Sequence, residues 1–182
     1  MEAKAGEAGG GGEDDRGMKE IAVFGGLVAV VDDSDVILVS GLNWSGKRKD
    51  RTIYARTRMR GSGTRRWQHV LMHQLIMPAV DGLEPDHING NGLDNRRSNL
   101  RLATRSQNMS NAAKYRTRDG MAPTSSFKGV WRGHTCKRWC ATISPKGKRI
   151  NLGRFASERD AALAYNEAAK EYFGEFARLN VV

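Results

Sequence analysis

The chain has 182 residues, of which 39% are hydrophobic and 27% charged, and it carries a formal net charge of +10. That length suits one ordinary domain or two small ones, and no apolar run approaches the ~18 residues of a membrane span. Residues 1–35 hold 9 acidic and 3 basic side chains, which leaves 27 basic against 11 acidic over residues 36–182. A body that basic attracts a polyanion, because neutralising phosphates releases counterions. On charge alone RNA, DNA and an anionic membrane all stay open.

The N-terminal MEAKAGEAGGGGEDDRG lacks the basic-then-apolar order of a secretory signal and is too acidic for a transit peptide. It reads as a disordered leader over residues 1–17 of an intracellular protein. After it, Ile21–Phe24, Leu27–Asp32 and Val36–Ser40 are short β-prone runs separated by glycines and a DDSD turn. Trp44 and a strand over Thr52–Thr57 follow, interrupted by a basic loop, Lys47–Arg51. Together they predict a small antiparallel sheet. Arg65–Ile76 has apolar residues at 67, 70, 71, 75 and 76, nearly a helical period, although its VLMH stretch suits a strand equally. Pro78 ends it.

The segment EPDHINGNGLDNRRSNLRLATRSQNMSN carries the chemistry. Asp86 and His87 are adjacent, and the turn-formers Asn89–Gly92 and Asp94-Asn95 come next. Asn99–Ala103 alternates polar and apolar as a returning strand does. Thr104 and Gln107 form a capping box that opens a helix with Asn108 in its first turn. The predicted order is strand, loop, strand, helix. Phosphodiester hydrolysis needs an activated water, a cation on the scissile phosphate and stabilisation of the departing oxygen. A neutral histidine suits the base role, and Asp and Asn oxygens are hard ligands suited to Mg²⁺ or Mn²⁺.

This segment resembles the HNH (His-Me finger, ββα-metal) nucleases, in the H-N-N variant of phage and intron homing endonucleases, through D-H-I-N-G-x-x-x-D-N-R-x-x-N-L-R and the Q-N on the helix. The resemblance implies that His87 is the general base, that Asn99 orients the His87 ring through its side-chain carbonyl, and that Asp86 and Asn108 hold one divalent metal. His73, in MHQLI, stands where these relatives often have an upstream histidine and takes an accessory role. The last motif position is Asn108 where the family name has His, which still supplies an oxygen ligand. Arg96, Arg97, Arg101, Arg105, Lys114, Arg116 and Arg118 occur without one acid between residues 96 and 118. That run predicts a flank lying along phosphates.

Tyr115–Ser126 is polar and rich in Arg, Thr, Ser, Gly and Pro, a linker composition. Lys128–Trp131, Trp139–Ser144 and Arg149–Leu152 read as three strands, with the turn Pro145–Lys148 between the last two. Ser157 and Asp160 cap a helix running to about Phe173. Alternation turns Trp139, Ala141 and Ile143 inward and Cys140, Thr142 and Ser144 outward. The alanine-rich helix covers the inner face, leaving a polar, basic face suited to a groove. His134, Cys136 and Cys140 form an H-x-C-x3-C cluster with no fourth ligand at a usual spacing, so zinc is not expected.

Residues 126–182 resemble the Apetala-two/ethylene-response-factor DNA-binding domain through SSFKGVW, W-x-A-x-I, KRINLGRF, A-A-x-A-Y-x-x-A-A and the closing A-R-L-N. That resemblance implies DNA contacts at Lys128, Gly129, Trp131, Arg132, Thr142, Ser144, Arg149 and Asn151, with Tyr165 from the helix. Trp131 stands where the plant proteins have arginine, and Thr142 and Ser144 replace a charged pair, so their target sequence does not transfer.

The expected fold is α+β: a leader over 1–17, a nuclease domain with a ββα-metal motif over 18–114, a basic linker over 115–125 and a three-stranded sheet packed on one helix over 126–182. The expected function is that of a site-preferring, homing-type DNA endonuclease. It uses one Mg²⁺ or Mn²⁺ to leave 3′-hydroxyl and 5′-phosphate ends on double-stranded DNA, with no membrane partner, in the cytoplasm of a bacterial or phage-infected host. The alternative is a non-catalytic DNA-binding protein or transcription regulator that keeps the nuclease scaffold.

Overall fold

The computed structural model describes residues 17–49, 52–61, 66–114, 123–133 and 137–182. The chain begins with a hairpin, β1 (Met18–Val23) and β2 (Leu27–Asp32), in register from Met18 opposite Asp32 to Val23 opposite Leu27. Alternate positions Ala29 and Val31 are fully buried, as period-two patterning requires. The expected strand at Val36–Ser40 is instead one helical turn, α1 (Val36–Val39), preceded by a 3₁₀ turn at Asp33–Asp35. Only Val39 of that turn is buried, and its carbonyl accepts from the Trp44 indole at 3.0 Å. The local β propensity of the VILV run yields to the turn that the aspartates initiate.

A second antiparallel sheet has the order β3 (Ser45–Lys49), β4 (Thr52–Arg60), β5 (Trp67–Leu71). One expectation is corrected here and one alternative resolved. Lys47–Lys49, expected in a basic loop, lie in strand β3 paired with Thr52–Tyr54. The stretch from Arg65 to Ile76, where a helical period and a strand over VLMH both stood open, is strand β5 followed by the short helix α2 (Met72–Ile76). The apolar spacing at 67–76 comes from two elements in succession, with Met72 and Ile76 entering the core. Strand β6 (Glu84–His87) and strand β7 (Leu100–Ala103) then pair antiparallel, and α3 (Arg105–Asn111) follows. The Thr104 hydroxyl accepts from the Gln107 amide at 3.3 Å, and the Gln107 side chain accepts from the Thr104 amide at 2.8 Å. This reciprocal cap starts α3 where the sequence placed it.

The core of this part joins β2, α1, Trp44, Ala55 of β4, α2 and Leu100. A buried ion pair fastens the loop before β7 to it. The Arg97 guanidinium donates to both oxygens of Asp35 at 2.8 Å, and the Arg97 amide donates to Asp32 at 2.7 Å. Asp35 is almost completely enclosed, so it depends on this partner.

Three further strands, β8 (Val130–Arg132), β9 (Trp139–Ile143) and β10 (Ile150–Phe155), form a sheet with β9 central. Helix α4 (Glu158–Phe173) starts at Ser157, whose hydroxyl accepts from the Asp160 amide at 3.0 Å. Its alanines 161, 162, 168 and 169 are buried against the sheet in two apolar clusters. Gly129 lies at φ +75°, and a Cβ there would sit 2.1 Å from the Tyr165 ring. The close helix–sheet approach therefore needs glycine. A β-bulge between Asn151 and Gly153 brings Arg154 opposite Cys140 on the outer face. Asn180 closes this part: its amide donates to Asn166 at 2.7 Å, while its side chain accepts from the Lys128 amide and donates to the Lys128 carbonyl.

The N- and C-terminal parts touch directly. Arg101 on β7 donates to the Glu175 carbonyl at 2.7 Å and lies 4.0 Å over the Phe176 ring. The Lys128 ammonium donates to the Ser110 and Ala112 carbonyls at the end of α3, and Lys114 donates to the Phe127 and Val130 carbonyls.

Candidate functional site

A cleft of about 400 Å³ opens between β4, the β6–β7 hairpin and α3 on one side and Ser126–Lys128 with Arg178–Val181 on the other. Asp86, His87, Asn108 and Asn111 all line it. Asp86 and His87 are the last residues of β6, buried by α3 behind them. Gly92 explains how the connecting loop reaches β4. Its amide donates to the Thr52 hydroxyl at 3.0 Å, and a Cβ there would meet the Ile53 carbonyl and the Tyr54 ring, each at 2.6 Å.

His87 Nε2 faces Asn95 Oδ1 at 3.2 Å. The Asn95 amide nitrogen donates to the Leu93 carbonyl at 3.2 Å and to Met72 sulfur at 3.3 Å, which fixes the amide oxygen toward the ring. Nε2 must then carry the proton, and the lone pair resides on Nδ1. The residue on the ring is thus Asn95, which sequence reading took for a turn-former. The Asn99 side chain goes elsewhere: it accepts from the Asn89 amide at 3.0 Å and donates to the Asp94 carbonyl at 2.7 Å. It ties the two ends of the loop together and so supports the His87 position without touching the ring.

Burial lowers the His87 pKa, against the opposing pull of Asn95, Asp86 and Asp94, so the imidazole is neutral at pH 7. His73 packs edge-on against it with ring centroids 4.7 Å apart, and Tyr54 lies 5.5 Å from His73 and 5.6 Å from His87. Burial, the neighbouring His87 and Lys49 push His73 down to about 3. Its Nδ1 has no hydrogen-bond partner. His73 is a neutral wall packed against the His87 ring and adds no second positive charge beside it.

Asp86 Oδ2 accepts from Asn111 at 2.9 Å and from Arg101 Nε and Nη2 at 3.3 Å each. Among the described residues every hydrogen bond to the Asp86 carboxylate goes to Oδ2, and Asp86 lines the cleft. Asn111 also donates to the His87 carbonyl at 2.7 Å, so one amide fixes both cleft residues of β6 from α3. Sequence reading missed it, although Asn108 and Asn111 stand three apart and share one helix face. Asn108 lines the cleft, and among the described residues its side chain makes no hydrogen bond. Among the described residues no three His, Cys, Asp or Glu side chains cluster as a metal site.

The residues expected along DNA divide sharply. Arg96 chelates Asp94 at 2.8 Å, Arg97 chelates Asp35, and Arg101 is held by Asp86, Glu175 and Phe176. The run lacks acids in sequence but finds carboxylates and carbonyls in space, so these three are structural in this arrangement. Lys114 spends its ammonium on carbonyls of the C-terminal part, while Arg105 is exposed. Arg116 and Arg118 lie outside the described residues, as do His134, Cys136 and most of the expected linker.

In the C-terminal part Lys128 is enclosed, and burial followed by Arg178 lowers its pKa to about 8. Gly129 and Tyr165 are packed on each other, and burial raises the tyrosine pKa to about 12. The structure places those three positions, expected as DNA contacts, in packing between elements. Trp131, Arg132, Ser144, Arg149 and Asn151 are exposed and Thr142 half-buried, with Arg149 lying 5.8 Å over Trp131. Arg154, brought outward by the bulge, was not foreseen because simple alternation turns it inward.

Among the described residues no helix is long and apolar enough to cross a membrane. No solved structure matches the chain. A stretch of 97 residues is 37% identical to an uncharacterized HNH endonuclease of Acanthamoeba polyphaga mimivirus, covering 53% of this chain and 46% of that protein. Another match, 46% identical over 57 residues, is to dehydration-responsive element-binding protein 2A of Arabidopsis thaliana, covering 30% of this chain and 17% of that protein. The chain thus spans less than half the length of these curated relatives. Residues 66–110, which carry His73, Asp86, His87, Asn99 and Asn108, match the sequence model of the HNH endonuclease family.

Proposed function

We propose that this protein is a DNA endonuclease that hydrolyses phosphodiester bonds at the Asp86–His87–Asn108 cleft, with a ββα-metal motif over β6, β7 and α3. The observation that carries this reading is the pairing, on one cleft wall, of a neutral, Nε2-anchored His87 with an Asp86 carboxylate whose hydrogen bonds among the described residues all go to Oδ2. His87 Nδ1 takes a proton from a water, and Asn95 keeps the ring in the tautomer that allows it. Asp86 and Asn108 offer hard oxygens suited to Mg²⁺ or Mn²⁺. Such an ion, when bound, supplies Lewis-acid stabilisation of phosphate and leaving-group charge. Arg101 and Asn111 hold Asp86 in place. The expected products carry 3′-hydroxyl and 5′-phosphate ends.

The exposed face of β8–β10, with Trp131, Arg149, Asn151 and Arg154, supplies double-stranded DNA binding and site preference. Likeness to plant proteins whose names specify element binding supports that role. Such a pairing of cutter and binder suits a homing-type enzyme of a mobile element, working inside a bacterial or phage-infected cell.

The test is incubation of the purified chain with supercoiled plasmid in Mg²⁺, Mn²⁺ or EDTA, beside His87→Ala. Cleavage in either metal, none in EDTA and a loss of at least about 100-fold in the variant are expected. Undiminished cleavage by His87→Ala would refute the base assignment, and binding without cleavage in any metal would favour a non-catalytic regulator.

A further inference from the structure

Beyond Lys49, Thr52 and Tyr54, the outer face of the β3–β4–β5 sheet takes no part in the site described above. The register places Lys47 opposite Tyr54, Lys49 opposite Thr52 and Trp67 opposite Arg60. Directly paired residues point to the same side of a sheet. One face therefore carries Lys47, Lys49, Tyr54, Arg58, Arg60 and Trp67, while Arg56 on the same side has its Nε buried. The other face turns the buried Ala55 and Thr57 to the core. Among the described residues no acid stands on the basic face, and no carboxylate makes a salt bridge to its lysines or arginines. This contrasts with Arg96, Arg97 and Arg101, all of which are neutralised. Trp67 is 55% exposed, and the Arg58 and Arg60 guanidiniums lie 5.8 and 5.5 Å from its ring centre. The indole thus holds two cations on the surface at low entropic cost.

The same face reaches the cleft, because Lys49, Thr52 and Tyr54 form its wall. From Tyr54 to Arg60 the strand advances about 20 Å, at ~3.3 Å per residue. That distance matches about six phosphates along one DNA strand at ~3.4 Å each.

We infer that this face is a second duplex-binding tract, which takes the phosphate backbone of the DNA arm leaving the cleft along β4. The proposal rests on the nuclease reading and extends it. The cut site then lies between two grips, one on the C-terminal sheet and one on β3–β5. Charge sets affinity and register here, and no base readout is assigned to the tract.

The experiment measures equilibrium binding of the full chain to a labelled duplex in EDTA as a function of salt, with hydroxyl-radical footprints. It compares the unaltered chain, Arg58→Gln/Arg60→Gln and Trp67→Ala. The double variant is expected to lower the log–log salt slope by about 1.8, or ~0.9 for each lost phosphate contact. Its footprint should shorten on one side only. Trp67→Ala should weaken binding with little change of slope, and cleavage of saturated DNA in Mg²⁺ should keep its rate in both variants. An unchanged slope and footprint in Arg58→Gln/Arg60→Gln, with the unaltered chain binding duplex, would overturn the tract alone. Absence of duplex binding by the unaltered chain would overturn the nuclease reading as well, as would binding confined to RNA.

Discussion

Replacing Asn95 by Asp changes one atom type at the group facing His87 Nε2 and tests the tautomer argument directly. A carboxylate 3.2 Å from an imidazolium attracts it by about 5 kcal/mol at an effective dielectric constant near 20. Two costs oppose this. The site has no solvent exposure, and the new carboxylate no longer donates to the Leu93 carbonyl, although that carbonyl keeps the Val30 amide at 2.8 Å. The net expectation is a rise of about 1–2 units in the His87 pKa. In the unaltered protein that pKa lies below its ordinary value, so the imidazole is neutral, as the proposed base role requires, through neutral pH. In Asn95→Asp the acid limb of single-turnover cleavage should move up by the same 1–2 units. On that limb the rate falls about tenfold per unit, and it recovers in alkaline buffer. NMR titration of the His87 ring reads the same shift without activity. Asn95→Ala should lower the rate at every pH and leave the limb in place. A folded Asn95→Asp protein with an unmoved His87 titration would refute the placement of Asn95 on Nε2. A moved titration with an unmoved rate limb would refute His87 as the base.

His73 has a folded pKa of about 3 against an ordinary 6.5, so the unfolded chain binds the extra proton first as pH falls. Its stabilising contribution is complete above pH 6.5 and is lost as pH drops toward 3. Between pH 6.5 and 5 the loss is about 2 kcal/mol, and urea midpoints should show it shrinking in His73→Phe; an equal acid sensitivity in that variant would contradict the buried neutral histidine. Arg97→Ala leaves the enclosed Asp35 without its partner and should cost about 2–3 kcal/mol in urea unfolding, at the low end for a buried pair because the arginine is half exposed. The salt slope of DNA binding should stay unchanged, whereas a drop of ~0.9 with unaltered stability would make Arg97 a phosphate contact after all.

The sequence by itself determined the elements whose signals are local. The β6–β7 hairpin, the Thr104–Gln107 cap on α3 and the Ser157 cap on α4 follow from turn chemistry and capping, which involve residues a few positions apart. So does the gathering of Asp86, His87 and Asn108, because one strand, one tight loop and one helix leave little freedom. What only the tertiary structure decided depends on partners distant in sequence. Arg97 finds Asp35 across 62 positions, so a run of cations that looked open to phosphates is partly spent on folding, while Lys47, Lys49, Arg58 and Arg60 make no salt bridge among the described residues. Asn95 reaches His87 because Val30 pairs with the loop and turns it inward, and Asn99 is left to brace that loop. Lys128, Gly129 and Tyr165 take packing positions because helix α4 approaches the sheet closely and the C-terminal part rests on α3. Periodicity tells which side of a strand a residue occupies, but only packing determines what waits on that side.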